Sequence, residues 1–290
     1  MDHEPTGLVT KKELSYGRKD VERTLALLNA VKREYDGFPL TLRPERAMSA
    51  ASITKAFLER MAVMRPSAKF KPPDDILGKC MQAYYGGRSE IRIRHTEMPV
   101  VVCDATSEYP SVAVLLDLWR LLTSVELSVV DCTHGARKVL KRTNLKSLLS
   151  QLTWKSLNFF ALVKPSADVL PIRSLYSVPD RESEETKSLA GSTNIGINPL
   201  TSEEPIWYAG PDLAAAKLLG KRAPHVVRAF KLVPKGLQGG MKPTTIGSRN
   251  FDPEKGDFFQ TIIEERQRLP KKHPHNLLLK IIANSLYGMT

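Results

Sequence analysis

The chain has 290 residues, 42% of them hydrophobic, and 43 Lys and Arg stand against 31 Asp and Glu, for a net charge of +12. That length allows one large domain or two small ones with a real core, and the positive balance fits a polyanionic partner, nucleic acid first. No apolar run is long enough to span a bilayer and the N-terminus is polar and acidic, so no membrane partner and a cytoplasmic location are expected. Cys80, Cys103 and Cys132 are far apart and odd in number, which fits neither a disulfide framework nor a zinc knuckle and points to a reducing compartment. Cys132 and His134 stand close together without a second pair and read as structural.

In chain order, residues 13–35 read as a helix whose apolar side carries Val21, Leu25 and Leu28, opening on Tyr16-Gly17-Arg18-Lys19-Asp20. Residues 49–64 read as a second helix, with Ser49 or Ser52 as N-cap and Ile53 and Phe57 on its apolar face. A polar, proline-containing connector follows at 69–75. Then comes Tyr84-Tyr85-Gly86-Gly87-Arg88, where paired glycines beside aromatics and an arginine let backbone approach a sugar–phosphate chain. Residues 90–97 alternate Ile91 and Ile93 with Arg92 and Arg94, a half-buried strand.

The stretch Val100-Val101-Val102-Cys103-Asp104-Ala105-Thr106-Ser107-Glu108-Tyr109-Pro110-Ser111 reads as a buried strand that delivers one carboxylate to its end and turns into an apolar helix at 112–122, with Pro110 in the first turn. An acid there can hold a divalent cation, and the turn presents backbone N–H groups to phosphate. Lys138, Lys141, Arg142 and Lys146 form a basic stretch. Residues 154–163 suit a strand or a short helix, 180–202 a surface loop and 206–208 a strand. Residues 211–219 suit a helix capped by Gly220, 226–233 a strand and 234–247 a loop. Residues 252–268 read as an amphipathic helix with Phe258, Phe259, Ile262 and Ile263 inward and Arg266 a turn on. In the last helix, Lys280, Asn284 and Tyr287 fall on one face: a cation for phosphate, an amide for a base or sugar, and a ring to lie against a nucleotide.

Two of these stretches occur in the same order in a known family. Asp104 to Ser111 resembles motif A of family B DNA polymerases, Asp-x-x-Ser-Leu-Tyr-Pro-Ser, and Lys280 to Gly288 resembles their motif B, Lys-x-x-x-Asn-Ser-x-Tyr-Gly. Tyr16 and Asp20 match the Tyr-x-x-x-Asp of the third exonuclease motif, and Tyr85 to Arg88 resembles the Tyr-x-Gly-Gly element between exonuclease and polymerase domains. The resemblance implies a mixed α/β (α+β) fold: the edge of a 3′–5′ exonuclease-like domain at 1–48, a linker at 49–98, a palm-like domain with an insertion at 99–247 and fingers helices at 248–290. It implies template-directed nucleotidyl transfer from a deoxynucleoside triphosphate to a primer 3′-hydroxyl with two Mg²⁺ ions.

In that scheme Asp104 and the Ala105 carbonyl hold metal, and Ser107 and Glu108 amides face the phosphates. Tyr109 lies under the sugar, Arg266 (or Lys271) and Lys280 hold the triphosphate, and Asn284 and Tyr287 support the base pair. Tyr85, Gly86, Gly87, Arg88 and Gly288 contact DNA. Primer–template DNA and deoxynucleotides are the implied partners, with a terminal protein or replication accessory factors beside them. Glu108 departs from the family's leucine, and Pro270 interrupts the arginine helix. Motif C, which carries the second palm aspartate, would follow Thr290, so the chain alone is expected to be inactive, as a piece of a polymerase or as a non-catalytic nucleic-acid-binding remnant.

Overall fold

The computed structural model describes residues 7, 9–36, 40, 42–64, 66–85, 96–105, 107–171 and 199–287. Its elements in chain order begin with helices α1 (Lys11–Asp36), α2 (Ala50–Arg60), α3 (Pro66–Lys69), α4 (Asp74–Gln82), α5 (Glu108–Leu115) and α6 (Leu118–Thr123). Strand β1 (Glu126–Asp131), α7 (Thr133–Arg142), α8 (Gln151–Ser156), β2 (Phe160–Lys164), β3 (Ser166–Val169), β4 (Pro199–Thr201) and β5 (Ile206–Ala209) follow. The chain continues through α9 (Gly210–Gly220), β6 (His225–Lys235), β7 (Thr244–Ile246), β8 (Arg249–Phe251), α10 (Phe258–Arg268) and α11 (Pro274–Tyr287). Helices thus mix with antiparallel sheets. The chain divides into two compact units, 66–238 and a second made of 1–65 with 239–290. Among the described residues no helix is long and apolar enough to cross a membrane.

The 66–238 unit is built on an antiparallel sheet in the order β1-β6-β2-β5. Strand side chains alternate between faces, and here both faces are apolar. Ala161, Val163, Tyr208, Val226 and Ala229 point to one side, where Ala136 and Leu140 of α7 and Leu213, Ala214 and Ala216 of α9 cover them. Phe160, Leu162, Trp207, Phe230 and Leu232 point to the other, where Ile76 and Cys80 of α4 and Ala83 just after it pack. Arg137 finishes the edge that β1 leaves open: its guanidinium donates to the carbonyls of Val226 (3.0 Å) and Val227 (3.2 Å). Lys69 ties the end of α6 down, its ammonium donating to the carbonyls of Leu122 (2.5 Å) and Ser124 (3.0 Å) and to Gln238 Oε1 (3.2 Å). Burial lowers the Lys69 pKa, while the three acceptors match its three donors.

The second unit centres on α2, α10 and α11. Of the two candidate caps, Ser49 caps α2, through a reciprocal pair with Ser52. Phe57, Met61, Phe258 and Ile262 meet Leu279, Ile282, Ala283 and Leu286, all buried, and Thr54 Oγ1 donates to the Ile282 carbonyl (3.1 Å). Each fully buried Leu or Ile contributes about 1.5–3 kcal/mol. That outweighs the roughly 0.5–0.7 kcal/mol disfavouring Asn276 or Asn284 in a helix interior.

Several expectations change. Val100, Val101 and Val102 do not form a buried strand. Residues 98–105 lie outside helix and strand, the three valines are at least 80% exposed, and no described strand pairs with them. β-branched residues make an extended chain easy, but a strand also needs a neighbour for its N–H and C=O groups. The helix expected at 112–122 is two, α5 and α6, broken at Asp117 in the left-handed region (φ 59°). Gly220 ends α9 as its last residue, and Lys221 takes the left-handed cap (φ 61°). The helix expected from 252 starts at Phe258, because Asp257 caps it by accepting from the Gln260 N–H. Both readings of 154–163 hold in part: α8 ends at Ser156 and β2 starts at Phe160. Most of the strand expected at 90–97 and of the loop expected at 180–202 lies outside the described residues.

Gly210 joins β5 to α9 where a side chain has no room: its N–H donates to the Phe159 carbonyl (2.8 Å), and an added Cβ would overlap the Leu157 carbonyl oxygen. Gly220, ten residues on in the same helix, has open space around it. Gly210→Ala is therefore expected to destabilise by about 1–3 kcal/mol, the usual cost of overpacking, and Gly220→Ala by far less. Thermal unfolding of the two variants checks this; equal midpoints would contradict the packing described.

Candidate nucleotide site

Helices α10 and α11 form a hairpin, and a buried carboxylate sets how α10 is turned. Glu265 accepts from the Ser248 N–H (3.1 Å) and hydroxyl (2.9 Å) and pairs with Arg249 Nε (3.1 Å) and Arg268 Nη1 (3.1 Å). Gly247 (φ 59°) makes this possible, since a Cβ there would stand 2.7 Å from Glu265 Oε2. Arg249 also pairs with Glu264, whose pKa is held below the usual carboxylate range by the Gln260 amide first and by Arg249 second. With Glu265 facing inward, Arg266 turns about 100° round the helix, toward the start of α11.

There Arg266 meets Asn276, a residue the sequence reading passed over. Arg266 Nε donates to Asn276 Oδ1 (3.2 Å), and Asn276 Nδ2 donates to the carbonyls of Arg266 (3.0 Å) and Leu269 (3.1 Å). The buried carboxamide thus closes the last turn of α10 and holds the guanidinium. Burial also lowers the Arg266 pKa, but an arginine starts so high that it stays charged. The signal that could have found Asn276 is the four-residue spacing Asn276, Lys280, Asn284 on one helix face. Lys280 is exposed one turn beyond Asn276 and Asn284 is half-buried a turn further; Tyr287 is the last residue of α11. Lys271 is exposed in the α10–α11 connection, and Pro270 falls after α10 has ended at Arg268. A pinned guanidinium and an exposed ammonium on one hairpin suit a short chain of phosphates.

The motif A residues belong to the 66–238 unit, the hairpin to the other. Asp104 and Ala105 are exposed and lie outside helix and strand. Ser107 is left-handed (φ 56°, ψ 44°) and turns the chain into α5, placing Glu108 and half-exposed Tyr109 in the first turn and burying Pro110. Asp117 is paired with Lys155 (3.3 Å). Among the described residues no three His, Cys, Asp or Glu come together to hold a metal ion. Mg²⁺ is commonly bound by one or two carboxylates plus substrate phosphates and water. Asp104 therefore fits as a single protein ligand to a magnesium–triphosphate, and no more than that.

Tyr85 stacks on Tyr208 (centroids 5.3 Å apart, planes 5° from parallel), and the Tyr208 hydroxyl donates to the Pro171 carbonyl (3.1 Å). Burial first, and Tyr85 second, push the Tyr208 pKa up. Gly86, Gly87, Arg88 and Gly288 lie outside the described residues. Tyr16 and Asp20 sit one turn apart on α1, and the side of that helix bearing Val21, Leu25 and Leu28 faces solvent instead of a core.

Because its ring packs on Tyr208, Tyr85→Ala is expected to lower the thermal midpoint by several degrees, at about 2–4 °C per kcal/mol for a chain of this size. An unchanged midpoint would contradict a packing role for Tyr85. Compared with protein-family models, with curated proteins and with solved structures, the chain matches none.

Proposed function

We propose that the chain is the central portion of a family B DNA polymerase, which binds deoxynucleoside triphosphates and primer–template DNA for nucleotidyl transfer to a primer 3′-hydroxyl. The observation that carries this is the α10–α11 hairpin. Arg266 is tied to Asn276, Lys280 stands one turn further along the same face, and the apolar face between the helices is buried. In this reading Arg266 and Lys280 neutralise the triphosphate, Asn284 and Tyr287 support the nascent base pair, and the amides of Ser107 and Glu108 face phosphate oxygens at the start of α5. Tyr109 lies under the sugar and disfavours a 2′-hydroxyl. Asp104 holds magnesium, which when bound supplies Lewis-acid stabilisation of the phosphoryl oxygens. The palm is the unit around β1-β6-β2-β5, the fingers are the hairpin, and α1 carries the exonuclease-like Tyr16 and Asp20.

DNA binding has its own support. Between Asp131 and Asp168 there is no acidic residue, while Arg137, Lys138, Lys141, Arg142, Lys146, Lys155 and Lys164 all fall there. Lys138, Lys141, Arg142 and Lys146 are exposed on and after α7. A second reading, a nucleic-acid-binding remnant without catalysis, is favoured by the same basic run.

Titration calorimetry with dATP and with dAMP tests the proposal. We expect dATP to bind at least about tenfold more tightly than dAMP, and Lys280→Ala to remove most of that preference, a loss of roughly 1.4 kcal/mol or more. In parallel, reversing Lys138, Lys141 and Lys146 to Glu should weaken DNA binding and flatten its salt dependence by about one unit of slope per lost phosphate contact. It should leave dATP binding unchanged. Equal affinity of the unaltered chain for dATP and dAMP would overturn the polymerase reading. A lost dATP preference with intact DNA binding in Lys280→Ala would support it.

A further inference from the structure

We infer that Asn276 is a positioning residue of the triphosphate site: it holds the Arg266 guanidinium toward the face of α11 that carries Lys280, so that both cations engage one phosphate chain. The inference rests on the proposed nucleotide site and adds to it a residue that no motif singles out. Its basis is the three-bond arrangement of one carboxamide. Nδ2 is spent on two backbone carbonyls at the end of α10, Arg266 (3.0 Å) and Leu269 (3.1 Å), so the amide cannot rotate without breaking both. Its oxygen is thereby aimed, and it takes the Nε–H of Arg266 (3.2 Å). Holding a guanidinium by Nε fixes the plane of the whole group, because the fork is rigid. A long side chain that would otherwise lose rotamer freedom on binding has already been ordered. The buried Glu265 carboxylate, one residue earlier, stops α10 from turning to release it.

A helix-closing role alone would also cost stability, so the test must separate the two. Inorganic tripolyphosphate and dATP are titrated into the unaltered chain, Asn276→Ala, Arg266→Ala and the double variant, with the melting midpoint of each recorded. Positioning predicts that Asn276→Ala lowers affinity about tenfold while Arg266 is present and by little or nothing once Arg266 is absent. Arg266→Lys, which keeps the charge and leaves both carbonyl bonds of Asn276 intact, should lose nearly as much affinity as Arg266→Ala. An equal loss from Asn276→Ala in both backgrounds would show a merely structural role and overturn the inference, whatever the midpoints do. Full affinity in Asn276→Ala or in Arg266→Lys would overturn it as well, with the nucleotide site left standing. If the unaltered chain bound neither probe, the nucleotide site itself would fall and the inference with it.

Discussion

Burial of one face of α11 is the constraint on which the candidate site depends. Leu279, Ile282, Ala283 and Leu286 recur at i, i+3, i+4 and i+7 and are fully buried with α2 and α10. That choice leaves Asn276, Lys280 and Asn284 along the flank of the helix. The helix cannot rotate without withdrawing several apolar side chains at a few kcal/mol each. The positions of the polar groups are thus a by-product of hydrophobic packing. Glu265 does the same for α10, through four contacts around a buried carboxylate. Removing any one partner would leave a charge poorly satisfied in the interior, which makes the arrangement stiff.

The other unit follows a different logic. Its sheet has two apolar faces, so helices must lie on both sides, and α7 is pressed onto one of them by Ala136 and Leu140. The outward side of α7 is then free for Lys138, Lys141 and Arg142. Basic side chains cluster on a rigid helix here because its opposite face is anchored. That gives a polyanion a fixed array of charge in place of a floppy one.

Much of this was legible in the sequence where local chemistry decides. An N-cap for α2 among Ser49 and Ser52, the start of α5 near Pro110, strands β5 and β6, and the apolar period of the last helix all follow from neighbours within a few residues. The misses share one cause, which is that pairing is non-local. Val100 to Val102 have strong strand propensity, yet no described strand lies beside them. The apolar side of α1 has the right period and faces solvent. For Asn276 the spacing with Lys280 and Asn284 marks a helix face, but its role shows only when two carbonyls and one guanidinium are brought to it from α10.

The most direct test of the central claim is paramagnetic broadening of the backbone amides by Mn²⁺–dATP, read by nuclear magnetic resonance against Mg²⁺–dATP. We expect the amides at 276–284 to lose intensity first as the nucleotide is added, and Lys280→Ala to abolish that effect. Broadening spread evenly over the basic surface, with 276–284 no more affected than the rest, would contradict it.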